Sequence, residues 1–263
     1  MHYLYLTKFL HHSMIDTHCH LTYPGLFEIK EKVIEECKKR MDAVITCGYP
    51  KDAKDALQLS KKYEGFLFVT LGLHPVDIVK MTDSQIKDYL DLIASNADEI
   101  VAIGEIGLDK HWFPDEKTTE KLKKIFEQCL DLSEQMDLPI VLHTRKAEQE
   151  CFDIVKERGM KRVYFHSYTS NLTLAKEIID SDFIIGLTTS INRSKNTKKI
   201  AQRFPLDKLF TETDSPFLAP NPGETNYPYN VEFILDTMSQ LRKMEKEKID
   251  GVIMKTARDF FKL

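Results

Sequence analysis

No basic excess, no cysteine pattern and no long apolar run mark this chain, and each absence closes a door. The 263 residues carry a formal net charge of −4. No global positive field therefore advertises a polyanionic ligand, which would have to be held by local Arg or Lys or by bound cations. The five cysteines, Cys19, Cys37, Cys47, Cys129 and Cys151, are odd in number, widely spaced and free of any C-x-x-C pair. That argues against a disulfide framework or a zinc knuckle and suits a reducing cytoplasm. No apolar stretch approaches the ~20 residues a membrane helix needs. Met1 to Ser13, interrupted by Lys8, His11 and His12, lacks a secretory h-region. We expect a cytoplasmic protein with no membrane partner, residues 1–13 being an N-terminal extension and 14–263 a single domain.

What the chain does have is alternation. Apolar, β-branched runs recur at 14–18, 42–47, 66–73, 100–108, 139–143, 162–166, 183–188 and 208–213. They are too continuous for half-exposed strands and suit strands buried on both faces. Between them lie charged, amphipathic stretches of helical length at 26–40, 52–63, 82–97, 115–136, 146–158, 171–180 and 192–204. This alternation implies right-handed crossovers and a parallel sheet. Eight repeats of the pair favour closure, so the expected fold is an α/β structure, a (β/α)8 TIM barrel. Local signals agree: Thr82-x-x-Gln85 reads as a capping box, Pro114 and Asp115 open the long helix, and Gly159 stands where a left-handed terminator belongs. Prolines crowding 216–228 predict a long rim loop leading to two closing helices at 229–244 and 245–261.

Five of the runs end in potential metal ligands. Asp16-Thr17-His18-Cys19-His20 closes the first, and Glu105, His143, His166 and Asp214 close four others. In a parallel barrel the C-terminal strand ends converge on one rim, where such folds build their active sites. His18 and His20, at i and i+2, point the same way and can chelate one ion, while Cys19 points opposite. A lone His-x-His pair is often mere surface composition. Two buried carboxylates are harder to dismiss, because each is costly unless paired or bound to a cation. Four imidazoles and two acids exceed one tetrahedral set, so two divalent ions are expected, with Glu105 as the bridge. Glycines around Glu105 allow close backbone approach, and Asp109 reads as a cap or as a support for a ligand. His74, in Gly72-Leu73-His74-Pro75, should face the same rim as a substrate contact.

In this order and spacing, Asp16-x-His18-x-His20, Gly72-Leu73-His74-Pro75, Gly104-Glu105-Ile106-Gly107-Leu108-Asp109, Leu142-His143-x-Arg145, His166-Ser167-Tyr168-Thr169 and Thr211-Glu212-Thr213-Asp214-Ser215-Pro216 resemble the TatD family of metal-dependent deoxyribonucleases, within the amidohydrolase-like TIM barrels. Any one motif is weak; the ordered set, covering Met14 to Leu263, is specific. The resemblance implies a dinuclear metal centre, hydrolysis of DNA phosphodiesters and 3′-to-5′ exonuclease action on single-stranded ends. It implies that His18, His20, Glu105 and Asp214 surround one ion while Glu105, His143 and His166 hold the other. Magnesium or manganese is common in such enzymes, yet four imidazoles are a softer set than magnesium usually selects, so zinc or manganese is expected at least as readily. Asp214 and Glu105 are the expected catalytic residues. Asp214 would accept or orient the proton of the attacking water as a metal-bound hydroxide forms. Arg145, just past the fifth strand, offers a bidentate guanidinium to a phosphate oxygen; its plainer use is a rim salt bridge.

Two departures from the family pattern stand out: Lys146 where an acid usually follows the arginine, and Asn226-Tyr227-Pro228 where the rim loop usually carries Asn-Glu-Pro. Trp112, Phe113 and Tyr227 can stack on unpaired bases, although packing is the commoner use of loop aromatics. A D-aminoacyl-tRNA deacylase, or another ester or amide hydrolase, could use the same metals. The chain lacks a strand-end lysine that carbamylation could turn into a metal bridge, which argues against the members built that way. A non-catalytic, metal-stabilised binding protein is the remaining alternative.

Overall fold

The computed structural model describes residues 14–263, and the expected extension at 1–13 lies outside the described residues. Eight strands pair in parallel in sequence order: β1 (Met14–Cys19), β2 (Met41–Gly48), β3 (Leu67–Leu71), β4 (Ala102–Gly107), β5 (Ile140–His143), β6 (Val163–Phe165), β7 (Ile184–Thr188) and β8 (Leu209–Glu212). They form the expected TIM barrel. Its strands are buried on both faces, β1 and β4 along their whole length, which is why the sequence shows continuous apolar runs rather than alternation. The first and last strands meet at a seam, where the Asp214 N–H donates to His18 O (2.9 Å) and the His20 N–H to Ser215 O (2.8 Å).

Helices α1 (Lys30–Cys37), α2 (Ala53–Lys62), α3 (Pro75–Ile78), α4 (Asp83–Ser95), α5 (Glu116–Met136), α6 (Glu148–Glu157), α7 (Leu172–Asp180), α8 (Lys195–Arg203), α9 (Val231–Arg242) and α10 (Lys246–Phe261) surround the sheet. The longest, α5, buries Leu122, Ile125, Phe126, Cys129 and Leu130, the spacing of one helical stripe facing a core. The cap signals hold. Thr82 and Gln85 form the reciprocal box, the Asp115 carboxylate accepts the Thr118 N–H (2.9 Å), and Gly159 is left-handed with φ 72°.

The sequence reading overran several elements. The run at 162–166 gives only Val163–Phe165, although the Arg162 carbonyl still accepts the Ile140 N–H (3.0 Å). The stretch at 26–40 divides into a 3-10 turn at Phe27–Ile29 and α1. The short α3 has no counterpart in the sequence reading; it starts where His74 caps a turn opened by Pro75. Among the described residues no helix is long and apolar enough to cross a membrane.

Candidate metal centre

Bare backbone around Glu105 sets the site. A Cβ at Gly104 would lie 2.5 Å from Val141 O, and one at Gly107 would lie 2.1 Å from His143 O. Only glycine lets β4 press this closely on β5, and the result is Glu105 Oε1 2.5 Å from His143 Nδ1. Both sit at the C-terminal rim, in a cavity of about 430 Å³ lined also by His20, His74, His166 and Asp214.

Around Glu105 the donors gather in overlapping groups. His18 Nε2 is 3.2 Å from His20 Nε2, 3.9 Å from Asp214 Oδ1 and 3.4 Å from Glu105 Oε2; His20 Nε2 is 3.0 Å from Asp214 Oδ1. Two nitrogens bound tetrahedrally to one zinc stand roughly 3.3 Å apart, so these spacings suit a cation. His166 Nε2 lies 3.8 Å from Glu105 Oε1 and 3.7 Å from Asp214 Oδ1, and its ring centroid is 3.9 Å from that of His18. His166 thus shares a group with His18 and Glu105, where the family likeness grouped it with Glu105 and His143. His20 turns Nε2 to this cluster, while its other ring nitrogen, the buried Nδ1, has no hydrogen-bond partner.

The charges follow from crowding. Burial alone would raise the Glu105 carboxyl, but His166, His143 and His18 together hold it well below its ordinary value. Asp214, also penalised by burial, is lowered by His166 and His20. Burial opposes charge on His143, yet bonds to Asp109 and Glu105 lift its pKa to about 9. Burial is likewise outweighed at His166, where Glu212, Glu105 and Asp214 lift it to about 10. Without a cation the centre thus stores protons on two imidazoles, and metal entry must expel them.

His74 is different. Its Nδ1 accepts the Val76 N–H (3.1 Å), so the hydrogen of the neutral ring sits on Nε2. Burial depresses this imidazole to about 4, keeping it neutral. With Nε2 3.8 Å from Glu105 Oε1 and His143 beside it, its spacing would admit a third ligand group. The tautomer instead makes it a hydrogen-bond donor aimed into the pocket. Arg145, the other expected substrate contact, also lines that pocket; its guanidinium lies 5.4 Å from the Trp112 ring centroid.

Comparison with known proteins bears on this geometry. A model of the TatD-related DNase family matches residues 15–262. The chain belongs to the TatD-related DNase family. It is 37% identical to an uncharacterized metal-dependent hydrolase of Methanocaldococcus jannaschii, over 94% of this chain and 96% of the relative. It is 27% identical to a human protein named deoxyribonuclease TATDN3, over 95% and 94% of the two chains. The crystal structure of a TatD homologue from Escherichia coli K12, 24% identical, superposes with a TM-score of 0.87 over 95% of this chain and 98% of that one; this last likeness speaks for the fold. The chain is a metal-dependent hydrolase of the TatD family, with His, Glu and Asp groups positioned to bind metal.

Three supports of this TatD-family centre escaped the sequence reading or were only half seen. Glu212, fully buried at the end of β8, accepts from His166 Nδ1 (2.6 Å), the Ser167 N–H (2.5 Å) and the Tyr164 hydroxyl. It fixes His166 with Nε2 inward, as a carboxylate behind a ligating imidazole does. The signal was available: Glu212 stands two residues before Asp214, the same i, i+2 relation that singled out His18 and His20. Tyr49 donates its hydroxyl to Glu105 Oε2 (2.6 Å) and left no trace in spacing. Asp109 serves both suggested uses, its Oδ1 accepting the His111 and Trp112 N–H groups (2.9 Å each) and its Oδ2 bonding His143 Nε2 (3.0 Å).

Proposed function

We propose that this TatD-family hydrolase cleaves phosphodiester bonds at single-stranded DNA ends, releasing nucleotides in the 3′-to-5′ direction. The observation that carries the reading is the double engagement of Glu105, which meets His18 through Oε2 and His143 through Oε1. A carboxylate so shared suits two cations, with His18, His20 and Asp214 on one side and His143 on the other, His166 between them. Zinc, manganese or magnesium could fill such a set. When bound, such ions lower the pKa of water and polarise a phosphoryl oxygen.

The chain's own groups would do the rest. Asp214, kept ionised by His166 and His20, takes the proton of the attacking water on Oδ1 or Oδ2. His74 donates its Nε2 hydrogen to a phosphate oxygen, and Arg145 offers two parallel donors to the same group. Local cations answer the objection of net negative charge: no acid occurs between Asp182 and Asp207, while Arg193 and Lys195 follow closely on Ser190 at the pocket wall.

The test strips the protein with a chelator, restores zinc, manganese or magnesium singly, and sizes products from 3′- and 5′-labelled single-stranded DNA. Mononucleotides from the 3′ end support the reading. Intact DNA beside rapid deacylation of a D-aminoacyl-tRNA would move the activity to the ester; no turnover of either would leave a binding protein.

A further inference from the structure

The described residues expose three large apolar side chains, and the two aromatic ones flank the metal centre. Trp112 is 60% exposed and Phe217 43%. Trp112 belongs to the loop after β4 and Phe217 to the loop after β8, strands four places apart in a ring of eight, so the two rings stand on opposite sides of the mouth. Exposed as they are, both are tied by backbone to the centre itself. The Trp112 N–H is held by Asp109, whose other oxygen bonds His143; the Phe217 N–H donates to Asp214 O (2.8 Å).

Trp112 has a cation beside it, and Phe217 reaches one only through a second ring. The Arg145 guanidinium lies 5.4 Å from the Trp112 centroid, and Lys51 Nζ lies 4.7 Å from the centroid of Tyr23, whose ring packs 5.0 Å from Phe217. Among the described residues neither cation stands within ion-pair distance of a carboxylate, and Arg145 lines the pocket itself. Of the other aromatics that the sequence offered for stacking, Phe113 packs on the core and Tyr227 stacks on Tyr229 at 5.3 Å. An apolar ring kept in water on a fixed backbone matches the face of a base, and at Trp112 the Arg145 charge beside the ring matches the phosphate next to that base.

We propose that Trp112 and Phe217 are two base-stacking platforms, one on each side of the scissile phosphodiester, so that the substrate is a strand with unpaired bases on both sides of the cut. The inference rests on the phosphodiesterase reading and sharpens it: a base-paired end must fray before it can be cut, because each flanking base has to leave its partner to reach a ring.

The chain contains one tryptophan, so its emission reports the first platform directly. The probe is a short phosphorothioate oligothymidylate, resistant to cleavage, added to the metal-loaded enzyme beside an abasic deoxyribose-phosphate strand of equal length and charge. We expect the oligothymidylate to quench Trp112 and the abasic strand to leave it bright. Trp112→Ala and Phe217→Ala should each raise KM for single-stranded DNA about tenfold with kcat and bound metal held, while KM for a cleavable abasic strand stays put; Trp112→Phe should recover most of the loss. Equal quenching by both strands, or wild-type KM in both alanine variants of an enzyme that cleaves DNA, overturns the platforms alone. An enzyme that cuts no phosphodiester yet is quenched only by the oligothymidylate keeps the platforms and loses the proposed reaction.

Discussion

Two buried polar regions sit one above the other in this barrel and obey opposite rules. At the β8–β1 seam every group has its counterpart. Asp16 accepts from the His18 N–H (3.2 Å), the Thr213 N–H (2.9 Å) and the Thr213 hydroxyl (2.5 Å), while Thr17 and Thr211 donate across the joint to Thr211 O and Ile15 O. Burial pushes the Asp16 carboxyl well up, and three donors answer it. One step towards the rim, imidazole faces imidazole at 3.2 Å, and two carboxylates stand 3.8 and 3.7 Å from one His166 nitrogen. The seam closes on itself; the rim is complete only with something added. That difference separates a polar cluster that holds the fold from one built for a cation.

The sharpest way to break the comparison is to remove Glu105. Glu105→Ala should abolish bound metal by elemental analysis and lower kcat/KM roughly a thousandfold, while leaving the chelated protein folded by circular dichroism, because the interior loses a charge that only the centre needed. Metal retained at the wild-type level would show that Glu105 is not a ligand. Glu212 belongs to both regions, touching Tyr164 below and His166 above. Glu212→Gln should therefore weaken metal binding by about 10–100-fold and also lower Tm; a titration with a chelating competitor, run beside thermal unfolding, measures both. Movement in one readout only would assign Glu212 to a single layer.

A smaller effect is expected below the rim. Asp16→Ala strands the N–H groups of His18 and Thr213 and should cost about 1–3 kcal/mol of stability, read from denaturant unfolding of the chelated protein, with metal per folded molecule unchanged. If metal falls in proportion, the seam is part of the centre and the contrast fails.

Why one layer was readable in the sequence and the other was not follows from the same contrast. His18, His20, Glu105, His143, His166 and Asp214 each end an apolar run, and ionisable groups at the ends of buried strands cannot be explained by burial, so they announced a site. The succession of continuous apolar runs and charged, amphipathic stretches gave the barrel, because a strand buried on both faces and a helix with one wet face differ so plainly. Glu212 shares with Asp214 the i, i+2 relation that marked His18 and His20, but it lies inside its run, where a sequence reading passes over it; the partners of Asp16 are a hydroxyl and backbone N–H groups, which no spacing singles out. Tyr49 reaches Glu105 from the strand end of β2 through a register that only the folded sheet defines. Trp112 reads, like Phe113 and Tyr227, as a candidate for stacking, with packing the commoner use, because composition does not distinguish an exposed indole from a buried one.

The finest test of the contrast uses protons in place of mutations. In the metal-free protein His143 and His166 carry pKa values lifted from 6.5 to about 9 and about 10. The folded state thus binds protons more tightly than the unfolded one, and this contribution to stability is complete below pH 6.5 and lost as pH rises through 9 to 10. Glu105 and Asp214, held below their ordinary values, act in the opposite sense, but their contribution fades only on acidification and stays constant over the same range. A divalent cation replaces the two protons, so the metal-loaded protein escapes the alkaline loss. The Tm difference between loaded and chelated protein should therefore widen from pH 6.5 to pH 9, and Glu105→Ala, having no centre to load, should show no difference at either pH. A gap that narrows with pH would mean that the imidazoles take up metal without giving up protons, and the crowded rim would then be satisfied in some way other than by a cation.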